Sequence, residues 1–218
     1  MIKAVVFDCD GVLVDSEIIN NAVFAELVTR AGLPTTLAQS IERYMGRATV
    51  ECVADVEREL GRPVGFDLPA EYEREVLARQ RDGLTAVDGV RELLELLRDA
   101  AVPVCVASSG TPQEIAFRLR VTGLAEYFGE HCYSAAMVAR GKPEPDLFLL
   151  AADRIGVDPA DCALIEDSPF GVRGGRAAGM TVLGYAALAS ADTLRAAGAA
   201  HVVTAMAQVP PLLGLTAA

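Results

Sequence analysis

Five short apolar runs limit how this chain can fold. Ala4-Val5-Val6-Phe7 leads into Asp8, Val102 to Ala107 into Ser108, and Cys162-Ala163-Leu164-Ile165 into Glu166; further runs lie over 180–185 and 201–203. An unbroken apolar run of this length suits a strand covered on both faces. The segments between the later runs read as helices. Asp88 is the expected N-cap of a helix over 90–100, whose Leu93, Leu94, Leu96 and Leu97 form an apolar face. Pro112 opens a helix that ends near Gly123, and Pro145 one that ends at Gly156. Strands alternating with helices predict an α/β core with a Rossmann-like parallel sheet.

Residues 16–84 break that rhythm. They contain no convincing strand, and helical stretches are expected at about 17–31, 37–45, 49–60 and 70–82, with Val50, Val53, Val56 and Leu60 at helical spacing. The expected organisation is a split α/β core, 1–15 and 85–218, with an all-α cap, 16–84, inserted after the first strand. The tail around Pro210-Pro211 reads as a short terminal helix.

Composition excludes several functions. With 30 acidic and 19 basic residues, the net charge is −11, a poor basis for sequence-independent nucleic-acid binding. No apolar run approaches the roughly 18 residues of a membrane span, and acid at position 8 comes too early for a signal peptide. Five cysteines without paired spacing argue against a zinc site or a disulfide framework, so a reduced, cytoplasmic protein is expected, monomeric by default. His131 and His201 are scattered and read as structural, as do the cysteines; the glycines at 171, 174, 175 and 179 read as sites of close helix–sheet packing.

Ligands of parallel α/β sheets bind beyond the carboxyl ends of the strands. Those ends here carry Asp8-Cys9-Asp10-Gly11, Ser108-Ser109-Gly110-Thr111 and Glu166-Asp167-Ser168, joined by the helix-opening loop Gly141-Lys142-Pro143-Glu144-Pro145. Together they would crowd three or four carboxylates, a hydroxyl and an ammonium into one small volume. Crowded carboxylates raise one another's pKa unless a cation sits among them. Mg²⁺ suits oxygen ligands of this kind and a phosphate oxygen. Lys142 and Ser108 could neutralise and hydrogen-bond a phosphoryl group, and a carboxylate nucleophile would divide phosphate-ester hydrolysis into two steps.

The run Asp8-Cys9-Asp10-Gly11-Val12-Leu13-Val14-Asp15-Ser16-Glu17, followed in order by Ser108, Lys142 and Glu166-Asp167, resembles the four signatures of the haloacid dehalogenase superfamily. Gly-Lys-Pro-x-Pro followed by Glu-Asp-Ser-x-x-Gly is similar to its β-phosphoglucomutase-like branch, which carries a helical cap after the first signature. The resemblance spans residues 4 to about 185. It implies that Asp8 is the nucleophile and Asp10 the general acid and base, and that Ser108, Ser109 and Lys142 hold phosphate. It further implies Mg²⁺ on Asp8, the Asp10 carbonyl and Asp167, with Glu166 either ligating or just outside, and a cap that closes over the site. Asp15 and Ser16 would be hinge and helix-start residues.

Differences within the superfamily choose among its reactions. A dehalogenase has no use for Asp10 as a proton donor, and phosphonate hydrolysis needs a cap lysine where residues 16–84 hold none. The related sugar-phosphate mutases carry a His where this chain has Asn20, and their cap-loop arginine lies later than Arg47. The expected function is therefore a phosphatase acting on a small phosphorylated sugar, sugar acid or polyol, with a β-phosphoglucomutase-type mutase as the alternative. Arg47 and Asn20 are candidate substrate contacts, the bland reading of Arg47 being a solvated loop arginine. Phospho-receiver signalling domains gather similar groups around Mg²⁺, but they lack so large an insertion after the first strand.

Overall fold

In the computed structural model, which describes residues 2–45, 47 and 49–215, each apolar run forms a strand of one sheet. The strands are β1 (Ala4–Phe7), β2 (Val104–Ser108), β3 (Cys132–Ser134), β4 (Cys162–Glu166), β5 (Thr181–Tyr185) and β6 (His201–Val203). The order across the sheet is β3-β2-β1-β4-β5-β6, and every pairing is parallel. After β1 the chain builds outward through β2 and β3, then returns to lay β4 on the other side of β1. That reversal of direction marks the crevice where open α/β sheets bind ligands. It also makes β2, β1 and β4 neighbours, so Ser108, Asp8 and Glu166 lie at adjacent strand ends.

The chain divides into two compact units, Met1–Val14 with Thr85–Ala218, and Asp15–Leu84. The second contains α1 (Ser16–Ala31), α2 (Leu37–Tyr44), α3 (Thr49–Leu60) and α4 (Leu68–Gly83), with no strand among its described residues. Its core gathers Val23, Phe24, Val28, Tyr44, Cys52, Val56 and Leu68, and α2 starts at a capping box in which Thr36 and Gln39 satisfy each other's backbone N–H groups. The first unit holds α5 (Val90–Asp99), α6 (Pro112–Val121), α7 (Ala125–Phe128), α8 (Asp146–Ile155), α9 (Pro169–Ala177), α10 (Ala191–Ala197) and α11 (Val209–Leu212). No helix among the described residues is long and apolar enough to cross a membrane.

Sheet and helices of the first unit share a core. Val6, Cys105, Leu164 and Val182 from the strands pack with Leu147, Phe148 and Val172 from α8 and α9. Phe7 meets Phe128 of α7 edge-on, ring centroids 6.0 Å apart. Gly174 and Gly175 let α9 approach closely, as expected: a Cβ on Gly175 would stand 2.2 Å from Leu164 Cδ2 and 3.0 Å from Val182 Cγ2. Gly179 has a different task. Nothing lies within 4 Å of its would-be Cβ, and its φ of +86° turns the chain beyond α9.

Other local expectations also need correction. Asp88 does not cap α5; the N-cap is Gly89, at φ +78° and with no side-chain bond. Val50 points outward at 72% exposure, and Cys52 with Val56 supplies the buried face of α3 instead. The strand Cys132–Ser134 was not expected, being too short for a pattern of alternation to show.

Because Leu164 is fully buried and cannot give way, Gly175→Ala should overpack this contact. We expect a loss of about 1–3 kcal/mol in unfolding free energy, read as a lower midpoint in urea with an unchanged slope.

Candidate active site

Asp8 follows the last residue of β1, and its N–H donates to the Ile165 carbonyl of β4 at 3.0 Å. The chain then turns sharply: Gly11 sits at φ +73° and its N–H bonds the Val14 carbonyl. Here glycine serves two ends. The left-handed backbone favours it, and a Cβ there would fall 2.0 Å from Asp167 Oδ2. The Asp167 carboxylate thus packs directly against the turn that follows Asp8 and Asp10.

Glu166, the last residue of β4, is fully buried. Its Oε2 accepts from the Ser168 N–H at 2.7 Å and from Ser168 Oγ at 2.9 Å, while its Oε1 accepts from Lys142 Nζ at 2.7 Å. Ser168 also caps α9, its Oγ accepting from the Gly171 N–H. Gly171 leaves room for the carboxylate, since a Cβ there would lie 1.6 Å from Glu166 Oε1. Its place in the glycine cluster therefore belongs to the site as much as to helix packing.

Lys142 reaches in from the loop before α8. Its ammonium donates to Asp8 Oδ1 at 2.7 Å as well as to Glu166, and lies 5.4 Å from the centre of the Phe148 ring. Burial, with Glu166 and Asp10 nearby, pushes the Asp8 carboxyl up to about 7 against the opposing pull of Lys142. Burial alone would lower the lysine, but Asp8 and Glu166 outweigh it and hold the ammonium charged above its ordinary range.

Ser108, at the end of β2, is buried, and its Oγ accepts from the Gly110 N–H at 3.0 Å. The Gly110 carbonyl in turn accepts from Ser134 Oγ at 2.6 Å, so the unexpected strand β3 steadies the loop. Ser109 is exposed. Asp10 carries a partner that sequence reasoning missed: Arg118 of α6 donates to its Oδ2 at 3.0 Å. One signal for it was present. Arg118 occupies the face of α6 that Ile115 and Leu119 bury, a position that invites an apolar residue.

Carboxylate oxygens of Asp8, Glu166 and Asp167 all lie within 4.8 Å of one another, and all three residues are buried. Across the site, the carboxylates of Asp8, Asp10, Glu166 and Asp167 face the cations of Lys142 and Arg118. Acids outnumber cations here, and a dication bound through hard oxygen ligands would offset the excess. The donor set fits Mg²⁺. Since both Glu166 oxygens already accept hydrogen bonds, Asp8 and Asp167 fit direct ligation better than Glu166 does.

Asn20 and Arg47 belong to the helical unit and are engaged within it. Asn20 Oδ1 accepts from Gln80 Nε2 at 2.8 Å. Arg47 pairs with Asp55 at 2.8 Å and donates to the Arg43 carbonyl. Of the core residues singled out from sequence, contacts tie Asp8, Lys142, Glu166 and Asp167 into one cluster, and Ser108 stands at the neighbouring strand end.

Comparison with known proteins bears on the chemistry. The family described as haloacid dehalogenase-like hydrolase matches residues 2–179. Hexitol phosphatase A of Escherichia coli is 34% identical over 196 residues, covering 88% of this chain and 86% of its own. The 6-phosphogluconate phosphatase of the same organism is 30% identical over 187 residues, covering 85% and 83%. A crystal structure of a HAD family hydrolase from Deinococcus radiodurans, with bound phosphate and sodium, superposes with a TM-score of 0.88 at 35% identity over 100% of this chain and 99% of that one.

The crowding of acids has a measurable consequence. Burial and the neighbouring acids push the Asp8 carboxyl up to about 7 in the folded chain, against an ordinary 3.8. Folding without metal therefore takes up a proton between those values, and the associated stability is lost as pH rises through 7. In chelator at pH 8, Asp8→Asn should melt above the wild type. The gap should close as pH falls toward 4, and a gap independent of pH would contradict the arrangement.

Proposed function

Since the chain belongs to the haloacid dehalogenase-like hydrolases and is a phosphatase, we propose that it hydrolyses a small phosphorylated sugar, sugar acid or polyol through a phosphoryl group carried on Asp8. The observation that carries the reading is the buried Asp8 carboxylate, held 2.7 Å from an ammonium shared with Glu166. A nucleophile so held is aimed before substrate arrives.

In the first step, Asp8 Oδ attacks phosphorus, the ester P–O bond breaks, and the departing oxygen takes a proton from the Asp10 carboxylic acid. In the second, water attacks the phosphoryl group and gives its proton to the Asp10 carboxylate. The Asp8–phosphate bond then breaks, releasing inorganic phosphate. Lys142, Ser108 and the N–H groups after Asp8 and Ser108 would bind the phosphoryl oxygens. Asp8, the Asp10 carbonyl and Asp167 would hold Mg²⁺, with Glu166 keeping Lys142 in line. When bound, the ion supplies positive charge that offsets the repulsion between a phosphate dianion and these acids.

The substrate class rests on the hexitol and 6-phosphogluconate phosphatases among the relatives. The phosphatase rather than mutase reading rests on Asn20, which stands where the mutases have a His.

Asp8→Asn should lower kcat by at least about 10³-fold while circular dichroism remains that of the wild type; substantial turnover by the folded variant would reject the mechanism. EDTA should abolish activity and Mg²⁺ restore it. A panel of phosphorylated hexoses, pentoses, polyols, sugar acids and glycolate, compared by kcat/KM, would fix the substrate class. Isomer formation from β-glucose 1-phosphate with its bisphosphate would transfer the chain to the mutases.

A further inference from the structure

Arg118 has no part in the chemistry set out above, yet it is a charged residue only 7% exposed. Burying a guanidinium is costly unless a carboxylate and further hydrogen bonds compensate it. Its closest acid is Asp10, at 3.0 Å, with Glu114 of the same helix farther off at 3.9 Å. Three features hold it there. Ile115 and Leu119, buried on the same face of α6, fix its backbone in the core. The Thr122 hydroxyl bonds the Arg118 carbonyl at 2.7 Å. Gly110 leaves space for the side chain, because a Cβ there would stand 2.9 Å from Arg118 Nη1.

We propose that Arg118 is a positioning residue for Asp10: by pairing with Oδ2 it fixes the orientation of the carboxyl group. A short acid that must first give a proton to a departing oxygen and then take one from water gains from being held in one orientation. The guanidinium exchanges no proton itself. The inference rests on the phosphatase reading, in which Asp10 serves as general acid and base.

The leaving group provides a test that separates positioning from mere support of the fold. An alkyl phosphate expels an alkoxide, which needs Asp10's proton. 4-Nitrophenyl phosphate expels a stabilised phenolate, which leaves without one. kcat/KM reports the step up to loss of the leaving group. The ratio of the two values does not depend on how much of a preparation is folded.

With the best alkyl phosphate of the panel above, Arg118→Met should lose about 10²-fold or more in kcat/KM. With 4-nitrophenyl phosphate it should lose less than about 5-fold. Arg118→Lys, which keeps the charge without the fork, should recover part of the alkyl activity. Gly110→Ala, which displaces the guanidinium and leaves its charge, should skew the ratio in the same direction, and it serves if Arg118→Met does not fold. Equal losses on both substrates in these variants would overturn the positioning role and leave the phosphatase reading intact. A wild type inactive on every phosphate ester would overturn both.

Discussion

The structure turns on one ammonium group. Lys142 sits between Asp8 and Glu166, 2.7 Å from each, with its own side chain only 6% exposed. Without it, two buried carboxylates would face each other with Asp167 beside them, an arrangement that low-dielectric surroundings penalise heavily. The sheet makes the grouping possible by placing β1 and β4 side by side and by letting the loop before α8 reach their ends. Even so, the balance is incomplete. Acids still outnumber cations at the site, an arrangement that favours a bound cation. In a chain of net charge −11, a cation bound among these acids would reverse the local field.

The same crowding shapes the backbone. Gly11 and Gly171 are where carboxylates, not apolar side chains, occupy the volume a Cβ would need. Gly175, four residues along α9, yields its space to Leu164. One helix face thus changes from lining the site to filling the core within a single turn. Val172 packs into the core from the turn between those two glycines. A side chain anchored in a close-packed interior has few alternative positions.

Much of this was legible in the sequence, for physical reasons. A strand buried on both faces leaves an unbroken apolar run, and the first polar residue after it marks the strand's end, so Asp8, Ser108 and Glu166 could be located before any coordinates. Lys142, one of only two lysines in the chain, is legible from its place in a helix-opening loop. Features built from three-dimensional proximity left weaker traces. Three residues of β3 are too few to show a period, though Ser134 proves to brace the Gly110 loop. The expected cap at Asp88 failed because an acid near a helix start need not bond it; the left-handed turn at Gly89 supplies the entry instead. Val50 fitted helical spacing, but spacing says which residues share a face, not which face is buried.

Arg118 shows the limit most clearly. On a helical wheel it is an error, a charge where Ile115 and Leu119 call for an aliphatic residue. Such a breach of local pattern costs stability and is expected where another demand outweighs packing. That demand is identifiable only once Asp10, more than a hundred residues earlier, is seen against it. The two ion pairs then have separate tasks. Lys142 joins the Asp8 carboxylate to β4 through Glu166, while Arg118 ties the Asp10 carboxylate to α6. Asp8 and Asp10 are thus anchored to different elements.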